Sequence, residues 1–402
     1  MADDCRLIIR KFLSPEACKE FEFIHKSCST VGYRPNVFST TLPHLIATNS
    51  AHLIMPLVPI REKLKEKVEE HFGCEYELVV EFTGLISWCK GASIGWHSDD
   101  NRDYLKQRDF AAVCYLNSYQ VDFDGGLFHF QDGEPSTIAP MAGDVIIYSA
   151  DNRNIHCVSE KKFQQILKGE RTTLTLWFSR DACHDEDAKL LMSLSHCSLS
   201  NPISSISSCF PTLASNNMYW FPPEEASKFQ SGFDICTARL NVLGFDIFSS
   251  CEEEEDSCYS MLESLKMPLY LTCGDKSTAW EFVNILHALQ VVQFYHWKGA
   301  EFQLAPNGSS SCPNLVSRPL SEIDRLKMKR VKSVLIKDAQ LSHMLFVGNK
   351  ESLQVKKSFD GFVFSALVCE WESYTLRLRE ELARSLSYWA TYGSIISVNN
   401  CV

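Results

Sequence analysis

The sequence predicts an α+β fold: a β-barrel of the double-stranded β-helix (jelly-roll) type with supporting N-terminal helices, then a C-terminal α/β region of unknown fold. Two observations lead to this prediction. Short apolar or alternating runs recur between residues 76 and 178, and clusters rich in Gly, Asp and Pro separate them, as in antiparallel sheets. Two earlier segments instead repeat apolar residues every three or four positions, which is typical of helices.

The N-terminal elements are predicted to be one strand and two helices. Leu7–Leu13 is a short strand-like run, and Ser14-Pro15 then starts a helix to about His25. Ser is a favoured N-cap, and Pro is tolerated at the first helical position. A second helix is predicted from about Pro56 to His71, with Gly73 as its stop signal. Its apolar face consists of Leu57, Ile60, Leu64 and Val68.

The barrel strands are predicted from five runs: Leu78–Trp88, Phe110–Leu116, Leu127–Phe130, Asp144–Ser149 and Thr172–Phe178. Several short strands at this spacing indicate a sandwich or a barrel, and a double-sheet jelly roll is one way in which such strands close. Gly125-Gly126 is interpreted as a tight turn rather than a phosphate-binding loop, because no helix start follows it.

The chain is divided into residues 1–185 as the barrel domain, residues 186–225 as a linker rich in Ser and Pro, and residues 226–402 as a region of unknown role. Within the last region, a helix is predicted over about Glu372–Thr391. The acidic run Glu252–Asp256 is interpreted as a solvated loop.

Composition restricts the class of protein. The chain has 39 Lys+Arg against 50 Asp+Glu, a net charge of −11, which disfavours binding to nucleic-acid phosphates. Its 17 cysteines are odd in number and include no CxxC, unlike a disulfide scaffold or a zinc ribbon. The acidic N-terminus and the lack of a long apolar stretch predict no membrane association and a cytoplasmic or nuclear location with reduced thiols.

Three residues form the candidate metal site. His97 and Asp99 are two positions apart, so on a strand both side chains face the same side. His156, from a distant strand, would complete two histidines and one carboxylate. This set occupies one face of Fe(II) and leaves positions open for substrate and dioxygen. An HxD tripeptide alone is a weak signal, since it arises often by chance.

Arg171 is the second candidate functional residue. It follows Gly169 where a turn enters the β-prone run that ends at Phe178. A guanidinium at the entrance of that strand could form a two-pronged ion pair with a carboxylate inside the barrel. A salt bridge at the sheet edge is the structural alternative for Arg171 alone.

In this setting, residues 5–182 resemble the iron(II)/2-oxoglutarate dioxygenases, and within them the prolyl 4-hydroxylase-type catalytic domain. The matching pieces occur in order: Trp88–Gly91, His97-Ser98-Asp99, Tyr115-Leu116-Asn117, Gly125–Phe128, Pro140–Asp144, His156, Gly169-Glu170-Arg171 and Trp177-Phe178. An ordered series of this kind is far more specific than HxD. The chain departs from the family pattern at Ile94, where prolyl hydroxylases usually have Tyr.

The resemblance implies that His97, Asp99 and His156 bind Fe(II) and that Arg171 binds the distal carboxylate of 2-oxoglutarate. It implies O2 as a cosubstrate, ascorbate as a supporting reductant, and oxidative decarboxylation of 2-oxoglutarate to succinate and CO2. The predicted function is hydroxylation of a protein side chain, prolyl in the first instance, in a protein or peptide substrate. Residues 226–402 and the oligomeric state are not assigned.

Three other functions are weighed. A non-catalytic scaffold could retain the barrel, although the ligands and the arginine are all present. An AlkB-like nucleic-acid demethylase would have an RxNxTxR pattern, but Thr173 and Trp177 stand where Asn and the second Arg would be. A zinc hydrolase would need a general base beside the metal, and no HExxH-like helix occurs.

Overall fold

A computed structural model describes residues 6–31, 36–42, 45, 50–74, 78–158 and 165–188, and helical residues within 290–299 and 367–385. The N-terminal part has two helices, α1 (Pro15–Cys28) and α2 (Val58–Phe72). The strands are β1 (Arg6–Ile9), β2 (Thr30–Val31), β3 (Val37–Thr41), β4 (Val79–Cys89), β5 (Ile94–His97), β6 (Phe110–Tyr115), β7 (Phe123–Asp124), β8 (Phe128–Phe130), β9 (Thr137–Ile138), β10 (Val145–Ser149), β11 (His156–Val158) and β12 (Lys168–Ser179).

Helix α1 begins, and helix α2 ends, at the signal that the sequence carries. The Ser14 side chain accepts a hydrogen bond from the Ala17 N–H, which caps α1. This helix runs one turn further than predicted, because Cys28 continues its buried face. Helix α2 stops before Gly73, whose φ of 58° is left-handed and suits a glycine.

The strands form two antiparallel sheets. The larger sheet has eight strands in the order β1-β10-β6-β12-β4-β3-β2, with β7 paired to β12, and the smaller sheet has the order β5-β11-β8-β9. From β4 onward, the chain passes repeatedly from the larger sheet to the smaller one and back. This alternation is consistent with the predicted jelly roll.

A buried apolar cluster fills the space between the two sheets. It combines residues of β6 and β10 from the larger sheet with residues of β8, β9 and β11 from the smaller sheet. Its members are Ala111, Val113, Tyr115, Phe128, Phe130, Ile138, Ile146, Tyr148 and Val158. Since the rings of Phe128, Phe130 and Tyr148 in this cluster also contact His156, the core and the candidate site share strands.

The five predicted runs all contain strands. Their ends agree within one residue, except that β12 begins at Lys168, four residues earlier than predicted. The cause is long-range, because β7 pairs with Lys168 and Gly169. The sequence did not identify β2, β3, β7 and β9, of which all but β3 have only two residues and so no local pattern.

Gly125 and Gly126 form the tight turn that the sequence predicts. Both have positive φ, 77° and 60°, and a strand rather than a helix follows them. A side chain at Gly125 would overlap the Gln165 carbonyl oxygen, and one at Gly126 would overlap Ile166. The glycines therefore allow this turn to pack closely against the segment that leads into β12.

Most of the C-terminal half lies outside the described residues, including the acidic run 252–256 and the predicted linker beyond residue 188. Of the helix predicted over 372–391, the described residues as far as Ser385 are helical and Leu378 is buried. Within residues 222–376, the rings of Phe294 and Tyr374 lie 5.6 Å apart. The domain division stays a prediction. No described helix is long and apolar enough to cross a membrane.

His25 ties helix α1 to the larger sheet. It is fully buried, its Nδ1 lies 3.1 Å from Thr40 Oγ1, and its Nε2 lies 2.9 Å from Ser87 Oγ. Burial lowers the pKa of His25 from 6.5 to about 3. The folded protein therefore holds a neutral imidazole at a pH at which the unfolded chain would already be protonated.

This burial predicts a stability that depends on pH. Because the folded pKa lies below the unfolded value, the stability is complete above pH 6.5 and falls as the pH drops toward 3. The free energy of unfolding should fall by about 2 kcal/mol more for the wild type than for His25→Gln between pH 7 and pH 5. Urea denaturation at both pH values measures this difference, and equal losses in the two proteins would contradict it.

Candidate metal centre

Strand pairing brings the two candidate histidines together. In the antiparallel register of β5 and β11, His156 is the direct partner of His97. Their ring centroids lie 4.3 Å apart. Residues 59 positions apart in sequence therefore meet on the face of the smaller sheet that faces the core cluster.

Asp99 reaches the same place, but not from a strand. The sequence placed His97 and Asp99 on one strand, whereas β5 ends at His97 and Asp99 lies in the turn that follows. The backbone N–H groups of Asp99 and Asp100 donate to the Ala150 carbonyl, at 3.0 and 3.2 Å. This attachment next to the end of β10 bends the chain back. The prediction that His97 and Asp99 lie on one strand was therefore wrong, but the turn still brings Asp99 close to both histidines.

The three side chains form one group of possible ligands. Asp99 Oδ1 lies 3.9 Å from His97 Nε2 and 3.8 Å from His156 Nε2. One ligand atom from each residue lies within 4.8 Å of the others. Two imidazole nitrogens and one carboxylate oxygen are the donor set of one class of non-haem Fe(II) sites.

Hydrogen bonds to the backbone fix which nitrogen each histidine presents. His97 Nδ1 lies 2.8 Å from the Gly95 carbonyl oxygen, and His156 Nδ1 lies 2.9 Å from that of Asn154. A carbonyl oxygen only accepts, so both Nδ1 atoms carry the proton. Each Nε2 lone pair is thus directed toward Asp99 and is available to a metal.

The surroundings of His156 keep it neutral. Its side chain is 3% exposed, and the Phe128 ring stacks on it at 4.7 Å. Burial lowers the pKa of His156 to about 4, against the opposing effect of Asp99. A metal binds the neutral imidazole, so His156 does not need to lose a proton at neutral pH before binding.

Arg171 lies inside the barrel rather than at a sheet edge. Because β12 begins at Lys168, Arg171 is the fourth residue of the strand, opposite Trp88 on β4, and it is 2% exposed. Its Nη2 donates to the Tyr115 hydroxyl at 3.3 Å. The structure therefore does not support the alternative of an edge salt bridge.

The buried charge of Arg171 is incompletely paired. No carboxylate among the described residues pairs with it, and its buried Nε has no hydrogen-bond partner. An unpaired buried cation is costly. Its charge also contributes to the lowered pKa of His156, which places both residues in one electrostatic environment. The arrangement fits an anionic ligand that reaches from the metal to the guanidinium.

Two tyrosines contribute groups that sequence reasoning did not assign. Tyr115, named above only as part of a motif, provides the hydroxyl beside Arg171. Tyr148, not singled out at all, donates its hydroxyl to Asp99 Oδ2 at 3.0 Å. Burial raises the pKa of Tyr148 well above 10, so it stays protonated and can donate. The hydroxyl group of a buried tyrosine generally needs a hydrogen-bond partner. A tyrosine on a predicted barrel strand was therefore the sequence signal that could have identified both residues.

Two further residues near the candidate site, His129 and Ile94, have contacts that the structure shows. His129 contacts Thr137 Oγ1 through Nδ1 at 3.0 Å, while its neighbours Phe128 and Phe130 are the residues that pack on His156. Ile94, at the position where the resemblance described above would lead us to expect Tyr, packs against the core cluster. The Arg171 guanidinium instead donates a hydrogen bond to the hydroxyl group of Tyr115.

A family comparison agrees with this geometry. Residues 84–179, which run from β4 to the end of β12, match the sequence model of the 2OG-Fe(II) oxygenase superfamily. This match supports the resemblance to the iron(II)/2-oxoglutarate dioxygenases that the sequence motifs indicate. The matched residues include all three candidate metal ligands and Arg171.

Proteins similar to this chain include prolyl 3-hydroxylase 1 of Rattus norvegicus, 34% identical over 45% of this chain and 29% of that protein. Prolyl 3-hydroxylase 2 of Homo sapiens is 26% identical over 45% of this chain and 30% of that protein. The chain thus spans less than a third of the length of these relatives. A solved prolyl-4-hydroxylase of Pseudomonas putida is 18% identical, with a TM-score of 0.35, over 45% of this chain and 97% of that one.

The metal-centre geometry predicts which histidines matter. His97→Ala and His156→Ala should each weaken Fe(II) binding to the oxygenase domain by on the order of 100-fold or more, because each removes a ligand. His129→Ala is the matched control: it removes a histidine from the adjacent strand and should bind Fe(II) like the wild type. Anaerobic calorimetric titration measures the three affinities. Equal losses in all three variants would contradict the assignment.

Proposed function

We propose that the oxygenase domain uses Fe(II), 2-oxoglutarate and O2 to hydroxylate a protein side chain, with proline as the target residue. The observation that carries this proposal is the combination, inside one barrel, of a His-Asp-His cluster with a buried arginine that no described carboxylate neutralises. A scaffold protein would have no need to retain either feature, since both are costly without their ligands.

The metal would be held by His97 Nε2, Asp99 Oδ1 and His156 Nε2. The donor set suits Fe(II) and leaves coordination positions free. The backbone carbonyls of Gly95 and Asn154 hold the two rings, so little reorganisation would accompany binding. A zinc hydrolase is less well supported, because no described Glu or additional Asp belongs to the cluster as a general base.

The distal carboxylate of 2-oxoglutarate would be bound by Arg171 and Tyr115. The guanidinium offers its unpaired Nε together with Nη2, which now contacts the Tyr115 hydroxyl. A planar guanidinium and a carboxylate form two parallel hydrogen bonds, and low exposure strengthens them. Binding of this carboxylate would compensate the buried charge of Arg171. The unpaired guanidinium would thus destabilise the free protein and would also favour a ligand with a second carboxylate.

With Fe(II) and 2-oxoglutarate bound, the site supplies C–H hydroxylation: one oxygen atom of O2 enters the substrate as a hydroxyl, the other enters succinate, and CO2 leaves. The residues of the chain contribute orientation and exclusion of water. Phe128, Phe130 and Tyr148 cover His156 and provide an apolar wall. Prolyl specificity is proposed from the relatives, which are prolyl 3-hydroxylases by name.

The proposal predicts oxidation of proline-containing peptides. Incubation of the full chain with Fe(II), 2-oxoglutarate, ascorbate, O2 and a library of such peptides should give products heavier by one oxygen atom. Labelled O2 should place its label in the product, and succinate should form in equal amount. Mass spectrometry of peptide fragments identifies the hydroxylated residue.

The control is His97→Ala, which should form neither hydroxylated peptide nor succinate above background. Succinate formation without any hydroxylated peptide would support the cofactor chemistry and contradict the prolyl assignment. No succinate from the folded, Fe(II)-loaded wild type would overturn the proposed function.

A further inference from the structure

The two carboxylate oxygens of Asp99 have different surroundings. Oδ1 lies 3.9 and 3.8 Å from the histidine Nε2 atoms, whereas Oδ2 lies 3.0 Å from the Tyr148 hydroxyl, which donates to it. We propose that Tyr148 is a positioning residue that holds Asp99 as a one-oxygen ligand of the metal. The inference rests on the proposed metal site and assigns a role to a residue outside the ligand set.

Asp99 requires such a partner because the hydrogen bonds of its backbone do not orient its side chain. It lies beyond the end of β5, in a turn held by its own and the next N–H group on the Ala150 carbonyl. These bonds fix the main chain but leave the side-chain rotation open. Tyr148 is the side chain that donates to the Asp99 carboxylate, so it selects which oxygen faces the histidines.

Tyr148 is itself rigidly held. Strand β10 lies between β1 and β6, and Tyr148 is paired there with Arg6 on one side and Ala111 on the other. Its side chain is 2% exposed, and its ring contacts those of Phe130 and His156 at centroid distances of 5.6 and 5.1 Å. A hydroxyl fixed in this way loses little entropy when it donates to Asp99.

The hydrogen bond from Tyr148 to Asp99 affects how many metal positions Asp99 can occupy. A carboxylate can bind a metal through one oxygen or two, and a second Asp99 oxygen would occupy a position needed by the cosubstrates. With Oδ2 engaged by Tyr148, only Oδ1 is available to the ion. Tyr148 therefore protects the open positions as well as orienting the ligand.

Tyr148→Phe tests the inference, because it removes only the hydroxyl and keeps the ring contacts. Anaerobic calorimetry with Fe(II) alone should show metal binding weakened by about 10–100-fold, the usual effect of losing a hydrogen bond to a ligand. The visible absorption of the Co(II)-loaded variant should also differ from that of the wild type, because Asp99 is free to change its coordination. Equal Fe(II) affinity and identical Co(II) spectra would overturn the inference.

The matched control is Tyr115→Phe. It removes another buried tyrosine hydroxyl from the same cluster, but one that contacts Arg171 rather than Asp99. Its Fe(II) affinity should equal that of the wild type. If both variants bind Fe(II) equally weakly, the effect is one of core packing and the positioning role of Tyr148 is wrong.

A double-mutant cycle with Asp99→Ala shows whether Tyr148 acts through Asp99. In the Asp99→Ala protein, adding Tyr148→Phe should not change the residual Fe(II) affinity further. An undiminished effect of Tyr148→Phe in that background would overturn the inference. Failure of the wild type to bind Fe(II) would instead overturn the proposed function, so the two failures are distinguishable.

Discussion

The pairing of β11 with β5 is the constraint on which the metal centre depends. Strand β11 has three residues and β5 has four, yet their register alone places His156 opposite His97. A slip of one residue would turn His156 to the other face of the sheet. Neighbouring contacts secure the register. Asn154 holds His156 Nδ1 through its carbonyl, its side chain donates to Ser149, and it accepts a hydrogen bond from Arg6 at 2.6 Å.

The barrel carries polar groups in its interior that its own residues only partly satisfy. Asp99 is 8% exposed and Arg171 is 2% exposed, and among the described residues the only hydrogen-bond partner of either side chain is a tyrosine hydroxyl. Such groups destabilise a fold unless ligands compensate them. A divalent metal beside Asp99 and a dicarboxylate on Arg171 would compensate both, so binding should stabilise the domain as well as prepare it for chemistry.

The sequence predicted the features that depend on neighbouring residues in the chain. The ligands and Arg171 lie within short motifs whose order is distinctive, and the longer barrel strands have clear apolar runs. The sequence did not predict the features that depend on contacts between residues far apart in the chain. The turn at Asp99 follows from hydrogen bonds to Ala150, the early start of β12 follows from pairing with β7, and the role proposed for Tyr148 follows from its hydrogen bond to Asp99. None of these leaves a signal in the neighbouring residues, and two-residue strands such as β9 leave none either.

We propose that one barrel holds both the metal and the dicarboxylate. An anaerobic titration of the protein with Fe(II) and 2-oxoglutarate tests this most directly. The visible charge-transfer absorption of the bound pair is the readout. We expect a saturable band in the wild type. In Arg171→Ala the same band should appear only at about 10–100-fold higher 2-oxoglutarate, because a charge-assisted pair is lost. Arg180→Ala, which removes a largely exposed arginine paired with Asp109, should titrate like the wild type. A folded wild-type protein without the band, or an unchanged requirement in Arg171→Ala, would contradict the account.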